Sequence, residues 1–254
     1  MEPLWTPSPE RAAETRLAAF LKATGRSSYA DLHAWSVAEP APFWAAAWDV
    51  CGVVGEPGDV VMVPGESIPE TVWFPDARLN VVDTLLHRTG PEPAMLFRGE
   101  AGDHRDVSWD ELHRMVSRHQ QLLASVGVVA GDRVAAIMAN TPDIYAVMLA
   151  AASIGAVFTS VSPDFGVAAA LDRFGQIEPR VLFASDGYHY GGKRFTVVDK
   201  VAELTAAIPS VEHTFVASYV GDEGALPEPL QRSADALAAF EPAPVTTAPL
   251  PFDH

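Results

Sequence analysis

The chain has 254 residues, 48% hydrophobic and 20% charged, with a formal net charge of −16. That composition supports a packed globular core, and the acidity argues against a nucleic-acid protein, which would present a basic face. It leaves room for a small anionic ligand held by a local basic cluster. Cys51 is the single cysteine, so no internal disulfide forms.

The opening "MEPLWTPSPE" has neither a basic region nor an apolar one, so no signal peptide is expected. The longest apolar run, Tyr145 to Phe158, is too short to span a bilayer. The expectation is a soluble, cytoplasmic protein. Ser8 before Pro9 predicts a helix start, and Leu17, Phe20 and Leu21 carry its apolar stripe to a stop at Gly25. The segment 29–52, dense in Trp35, Phe43, Trp44 and Trp48, predicts short helices broken at Pro40 and Pro42, with the aromatics packed together. Residues 55–80 read as irregular, with two short extended pieces, and Asn80 caps a short helix over 81–88.

From Met95 the pattern changes. A hairpin is expected around Gly99–Asp103. "SWDE", Ser108 to Glu111, is a capping box opening a helix that runs to Ser125 and stops at Gly127. Four short apolar runs follow, at 133–139, 156–161, 180–184 and 213–218. Helical segments separate them at Pro142–Ile154 behind Thr141, at Val167–Ile177 and at Lys200–Ile208. Strand and helix alternating at this spacing predict a parallel sheet with right-handed crossovers. The runs barely alternate in polarity, as strands buried on both faces do. After Tyr219 come a loop, one helix around Ala234–Phe240 and a proline-rich tail. The expectation is therefore an α/β fold: a helical N-terminal cap and entry segment over 1–92, a mostly parallel sheet with crossover helices over 93–220, and a linker over 221–254.

One stretch invites a specific reading. "DGYHYGGKRF", Asp186 to Phe195, fits G-x-x-x-x-G-K from Gly187. A phosphate-binding P-loop also needs Ser or Thr after the lysine, where Arg194 stands, and a helix opening at the lysine. The following "FTVVD" is β-branched and starts a helix poorly, so the P-loop reading fails. "HRD" (104–106) and "DFG" (164–166) are kinase words without the kinase spacing: Glu111 replaces the needed Asn, and no G-x-G-x-x-G exists. His113 and His119 lie six apart, on different faces of one helix, and no metal-ligand spacing or G-x-S-x-G elbow appears. No metal site and no catalytic residue is assigned.

What remains are two loops at the carboxyl ends of predicted parallel strands, where open α/β sheets bind ligands. They are "SPDFG", Ser162 to Gly166, and the stretch ending "GGKRF". The second joins backbone N–H groups of Gly191 and Gly192 with two tyrosines, Lys193 and Arg194, suitable chemistry for a phosphate or pyrophosphate. A solvated turn kept wet by its two cations is the other reading, and composition does not choose between them.

Several stretches taken in order resemble the adenylate-forming enzymes, in particular the acetyl-CoA synthetase branch. "DLHAWSVAEPAPFWAAAWD" resembles the helical cap of that branch, and "WFPDARLNVVDTLL" the entry to its large domain. "GDRVAAIMANTPDIYAVMLAAASIGAVFTSVSPDFG" resembles the first subdomain, and "SPDFGVAAALDRFGQIEPRVLF" is especially like the acetoacetate-using members. The resemblance covers residues 29–220. It implies a ligase that converts ATP, with Mg2+, and a carboxylic acid to an acyl-adenylate and pyrophosphate, after which the thiol of CoA displaces AMP. It also implies that "YGGK" corresponds to the arginine-containing R-G-G-R that meets the 3′-phosphate end of CoA. Lys193 then matches the second arginine and Tyr190 the first, with Gly191, Gly192 and Arg194 beside them, and Gly166 lining the pantetheine path. The family's Ser/Thr/Gly-rich ATP loop, its adenine and ribose contacts and its adenylation lysine are not among these 254 residues. The resemblance therefore implies the front part of an acetoacetate–CoA ligase, with acetate, propionate or another short acid as alternatives. A stand-alone CoA- or nucleotide-binding module and an inert truncation product remain open beside it. No nucleic-acid or membrane partner is expected, and oligomeric state is left open.

Overall fold

The computed structural model describes residues 4–222 and 224–254. The chain forms two compact units, one of residues up to Leu79 with Pro251–His254, the other Asn80–Leu250.

In the first unit the helix expected to end at Gly25 is two helices, Pro9–Ala13 and Arg16–Thr24. Thr15 separates them. Its hydroxyl donates to the Ala12 carbonyl at 2.8 Å and accepts from the Ala18 N–H at 3.2 Å, ending one helix and capping the next. Gly25, at φ 67°, closes the second in the left-handed conformation that glycine adopts without strain. Helices Tyr29–Ala38 and Pro40–Cys51 follow. Pro40 sits in the first turn, where its missing N–H has no helical partner to lose. Pro42 lies in that same turn and, against expectation, breaks nothing. The aromatics pack as expected: Phe43 meets Phe20, Trp35 and Trp44 at ring separations of 5.3–5.8 Å, and Trp48 lies 5.0 Å from Phe74. Trp48, Phe74 and Ala77 form the small buried core of this unit.

The second unit opens with a short helix, Val81–Leu85, capped by Asn80 through the Val82 N–H at 3.0 Å, and continues with a hairpin of β1 (Pro93–Arg98) and β2 (His104–Ser108), then helix α1 (Trp109–Ser125). Ser108 caps α1 through the Glu111 N–H at 3.1 Å. The reciprocal half of the expected box is missing, because the Glu111 carboxylate instead pairs with Arg105 at 2.8 Å. There follow β3 (Arg133–Ile137), α2 (Pro142–Ser153), β4 (Val157–Val161), α3 (Val167–Gly175) and β5 (Val181–Ser185). A ribbon of β6 (Gly187–Tyr190) and β7 (Lys193–Thr196), helix α4 (Val198–Ala207), β8 (His213–Ala217), β9 (Gln231–Arg232) and α5 (Ser233–Leu237) complete it. Five strands form one parallel sheet in the order β9-β8-β5-β3-β4.

The sheet explains why its strands read as unalternating. Val134, Ala136, Val181, Phe183 and Phe215 face a core shared with α1 and α2. Ala135, Ile137, Leu182, Ala184 and Val216 face a second core with Ala170 and Phe174 of α3 and Val201 and Leu204 of α4. Successive side chains go to opposite faces, and in β3, β5 and β8 both faces are covered, whereas β4, expected to be buried likewise, is an edge strand left partly exposed. Burying each large side chain contributes roughly 1.5–3 kcal/mol. Because α2 covers one face while α3 and α4 cover the other, the connections diverge at β3 and β5. A ligand crevice belongs outside the carboxyl ends of strands at such a divergence.

The tail over 241–250, expected as a linker, is held along α1. Ser117 Oγ accepts the Ala243 N–H at 2.8 Å. Gln120 donates to the Thr246 carbonyl at 2.6 Å and accepts its N–H at 3.2 Å, and Gln121 donates to the Glu241 carbonyl at 2.8 Å. Among the described residues, no helix is long and apolar enough to cross a membrane.

Candidate functional site

A cavity of about 870 Å³ opens at the carboxyl ends of the central strands. Met138, Ala139 and Asn140 leave β3 into its floor, and Ser160 to Asp164 form the wall after β4. Tyr188, His189 and Tyr190 come from the β6–β7 ribbon, Tyr219 from the loop after β8, and Phe97 to Glu100 from the tip of the β1–β2 hairpin.

The stretch that mimics a P-loop is the β6–β7 ribbon rather than an open loop. Gly191 and Gly192 form its two-residue turn at φ 59° and 72°. Two successive positive φ values are what a tight hairpin turn demands, and glycine supplies them without strain. Tyr188 pairs with Phe195, His189 with Arg194 and Tyr190 with Lys193. Lys193 therefore leaves the ribbon on the face of Tyr188 and Tyr190, and Arg194 on the face of His189. The two cations expected to act together are separated by the ribbon, and both are exposed. Tyr190 lines the cavity and is largely exposed. The Gly192 N–H donates to Glu100 Oε1 at 2.9 Å, so a carboxylate occupies one of the two amides expected to meet phosphate. Gly166 is the N-cap residue of α3, exposed, at the far end of the loop whose nearer residues line the cavity.

Three residues central to this geometry carried no sequence signal of function. Asp186, directly after β5, is fully buried. Its carboxylate accepts N–H groups from Tyr219 (2.8 Å), Val220 (2.9 Å) and Asp222 (2.9 Å) and the Ser218 hydroxyl at 3.2 Å. The Tyr219 ring so held lies 6.0 Å from Phe97 and 5.6 Å from His189, both edge-on. Burial, with Asp103 and Glu100 nearby, raises its phenol pKa, keeping it protonated. Lys200 of α4 donates from Nζ to the carbonyls of Pro163 and Phe165, both at 2.8 Å. Burial lowers its pKa, and Asp164 works against that shift. An acidic residue at the very end of an apolar strand, as Asp186 is, was the available clue to one of the three.

The cavity thus offers aromatic faces and a strand-end floor, and Tyr190 in its lining leads into the glycine turn whose amide meets Glu100. Arg98 on its rim is paired with Asp106 at 2.6 Å. Among the described residues, no three His, Cys, Asp or Glu side chains come together to hold a metal.

The chain belongs to the AMP-binding enzyme family, whose profile matches residues 83–251. The acetyl-coenzyme A synthetase N-terminus profile matches residues 29–84. Among individual relatives, it is 42% identical to the acetoacetyl-coenzyme A synthetase of Rhizobium meliloti (strain 1021), over 99% of this chain and 40% of that protein. It is 35% identical to a malonamoyl-CoA synthetase of Penicillium aethiopicum, over 85% of this chain and 31% of that one. The solved structure of acetoacetyl-CoA synthetase from Streptomyces lividans superposes with a TM-score of 0.89 at 36% identity, covering all of this chain and 40% of that one. The chain spans about 40% of the length of these acetoacetyl-CoA synthetases.

Proposed function

We propose that this chain is the N-terminal part of an acetoacetate–CoA ligase and that its cavity is one wall of the CoA site. In the complete reaction the carboxylate attacks the α-phosphate of ATP, bound with magnesium, and pyrophosphate leaves. The thiol of CoA then attacks the acyl carbon and AMP leaves. The observation that carries the reading is that Tyr190, which pairs with Lys193 across the Gly191–Gly192 turn, lines the 870 Å³ cavity. There Gly191, Gly192 and Lys193 would hold the distal phosphate of CoA, Tyr190 would add a hydrogen bond, and Arg194 would add charge from the opposite face. Gly166 would border the pantetheine arm. The Gly192 amide already holds an oxyanion, the Glu100 carboxylate, which a phosphate would displace.

The chain's 254 residues hold no Ser/Thr/Gly-rich ATP loop. On this reading the chain alone makes no acyl-adenylate, and no residue in it is assigned to catalysis. Acetoacetate is the proposed acid. The likeness to a malonamoyl-CoA synthetase supports a second reading, in which the same framework serves another short acid. A cytoplasmic location and small-molecule partners, without nucleic acid or membrane, go with this assignment.

Calorimetric titration of the chain with CoA and with dephospho-CoA tests the reading. Binding of CoA that weakens when the 3′-phosphate is removed supports it. Equal binding of the two, or none, overturns it.

A further inference from the structure

The wall of the cavity after β4 is not fixed by its own sequence. Gly166 stands at the N-cap of α3 with no side chain to bond the first-turn amides. The loop has one internal backbone bond near its centre, Phe165 N–H to the Ser162 carbonyl at 3.2 Å. What ties it down comes from elsewhere. Lys200, on α4, reaches across to the Pro163 and Phe165 carbonyls at 2.8 Å each. Arg173 of α3 lies over the Phe165 ring, 5.3 Å from its centroid. The two carbonyls bracket Asp164, which lines the cavity.

We propose that Lys200 is a positioning residue that sets the Ser162–Gly166 loop as the wall of the cavity, and so governs binding of the CoA arm that runs past it. The inference rests on the CoA reading of the same site. Lys200 does not line the cavity and acts through the loop's backbone. An ammonium group suits this task because its three donors can serve two carbonyls at once and leave a third for water. A charged donor also makes the stronger bond. Without it the loop retains its single turn, the Phe165 ring contact and, at its far end, the Ala170 N–H bond to the Gly166 carbonyl, so the Pro163–Phe165 stretch with Asp164 loses a defined position. Such a change affects the path of the flexible arm of CoA, not its terminal phosphate. Its signature therefore differs from that of Lys193.

The test compares Lys200→Met, which keeps the apolar stem, and Lys200→Arg with the unaltered chain. Amide hydrogen exchange is followed by NMR at Phe165 and, as a fold control, at Ala136 and Phe183 in the sheet. In Lys200→Met, Phe165 should exchange about tenfold faster while the sheet amides stay unchanged, and Lys200→Arg should restore most of the protection. CoA affinity should fall about tenfold in Lys200→Met, by the same factor for CoA and dephospho-CoA. Unchanged exchange at Phe165, or an equal acceleration of the sheet amides, overturns the positioning role. Faster exchange at Phe165 with unchanged CoA affinity shows a loop held for another reason and overturns the link to CoA. If the unaltered chain binds no CoA, the reading of the site fails, while the Phe165 exchange still decides whether Lys200 holds the loop.

Discussion

The Asp186 carboxylate accepts the Tyr219 backbone N–H at 2.8 Å, and the ring of that tyrosine closes one side of the cavity against Phe97 and His189. A fully buried charge is thus satisfied by the loop that follows a neighbouring strand. Removing the carboxylate would strip several partly buried donors of their partner at once, each costing up to about 1–3 kcal/mol where water cannot replace it.

Asp186→Ala should therefore destabilise the second unit by roughly 2–4 kcal/mol, with Asp186→Asn losing less because one acceptor oxygen remains. Urea unfolding measures the loss, and near-ultraviolet dichroism should lose part of its tyrosine signal. A loss below about 1 kcal/mol in Asp186→Ala would show that the loop finds its place without the carboxylate.

The opposite faces taken by Lys193 and Arg194 separate their roles. A charged contact to a phosphate places the cost of Lys193→Ala at about ten- to a hundredfold in CoA affinity. Arg194→Ala should cost about threefold or less. With dephospho-CoA the Lys193 effect should shrink. Equal losses from the two substitutions would mean that they act as one clamp, contrary to the ribbon's register.

Glu100 occupies the Gly192 amide, which on the proposed reading serves the phosphate of CoA. Glu100→Gln keeps the shape and removes the repelling charge, so CoA affinity should rise about three- to tenfold at low salt and less at high salt. A fall in affinity would make Glu100 part of the binding surface rather than its occupant.

His119 on α1 is buried, its Nδ1 2.8 Å from the Met115 carbonyl. Burial lowers its pKa below the ordinary 6.5, outweighing the contact with Met115 and the field of Asp143. The folded state thus binds fewer protons here than the unfolded state. The resulting stability is complete above about pH 6.5 and is lost as pH falls below it, at up to about 1.4 kcal/mol per pH unit. Urea midpoints at pH 5.5 and 7.5 should differ by less in His119→Leu than in the unaltered chain. Identical differences would assign the acid sensitivity to other groups.

The four long strands of the sheet were legible because each is an apolar run of about the right length between helical patterns. The fifth, Gln231–Arg232, has two polar residues and exists only because β8 pairs with it. The glycines and lysine of the ribbon, weighed alone, read as an open phosphate-binding loop. Its alternation Tyr188, His189, Tyr190 around a Gly-Gly pair is a hairpin pattern in its own right. Chemical identity pointed to Lys193 but not to the side of the ribbon it takes, which depends on register. Lys200 has no signal in the sequence, and Asp186 only its place at a strand end, for a different reason. Each acts on a segment more than thirty positions away, through backbone groups that have no letter in the sequence.

The tail along α1 follows the same logic in reverse. Ser117, Gln120 and Gln121 lie on one face of the helix and address mainly peptide groups of residues 241–246. The N–H groups used in this stretch belong to Ala243, Thr246 and Ala248, and Pro242, Pro244 and Pro249 stand at other positions, beside or between them. Each proline surrenders a donor that nothing requests, and each stiffens the chain before it docks. The segment is read by spacing rather than by spelling. Most of its side chains are free to drift over evolutionary time, while a proline moved one place along would undo the fit.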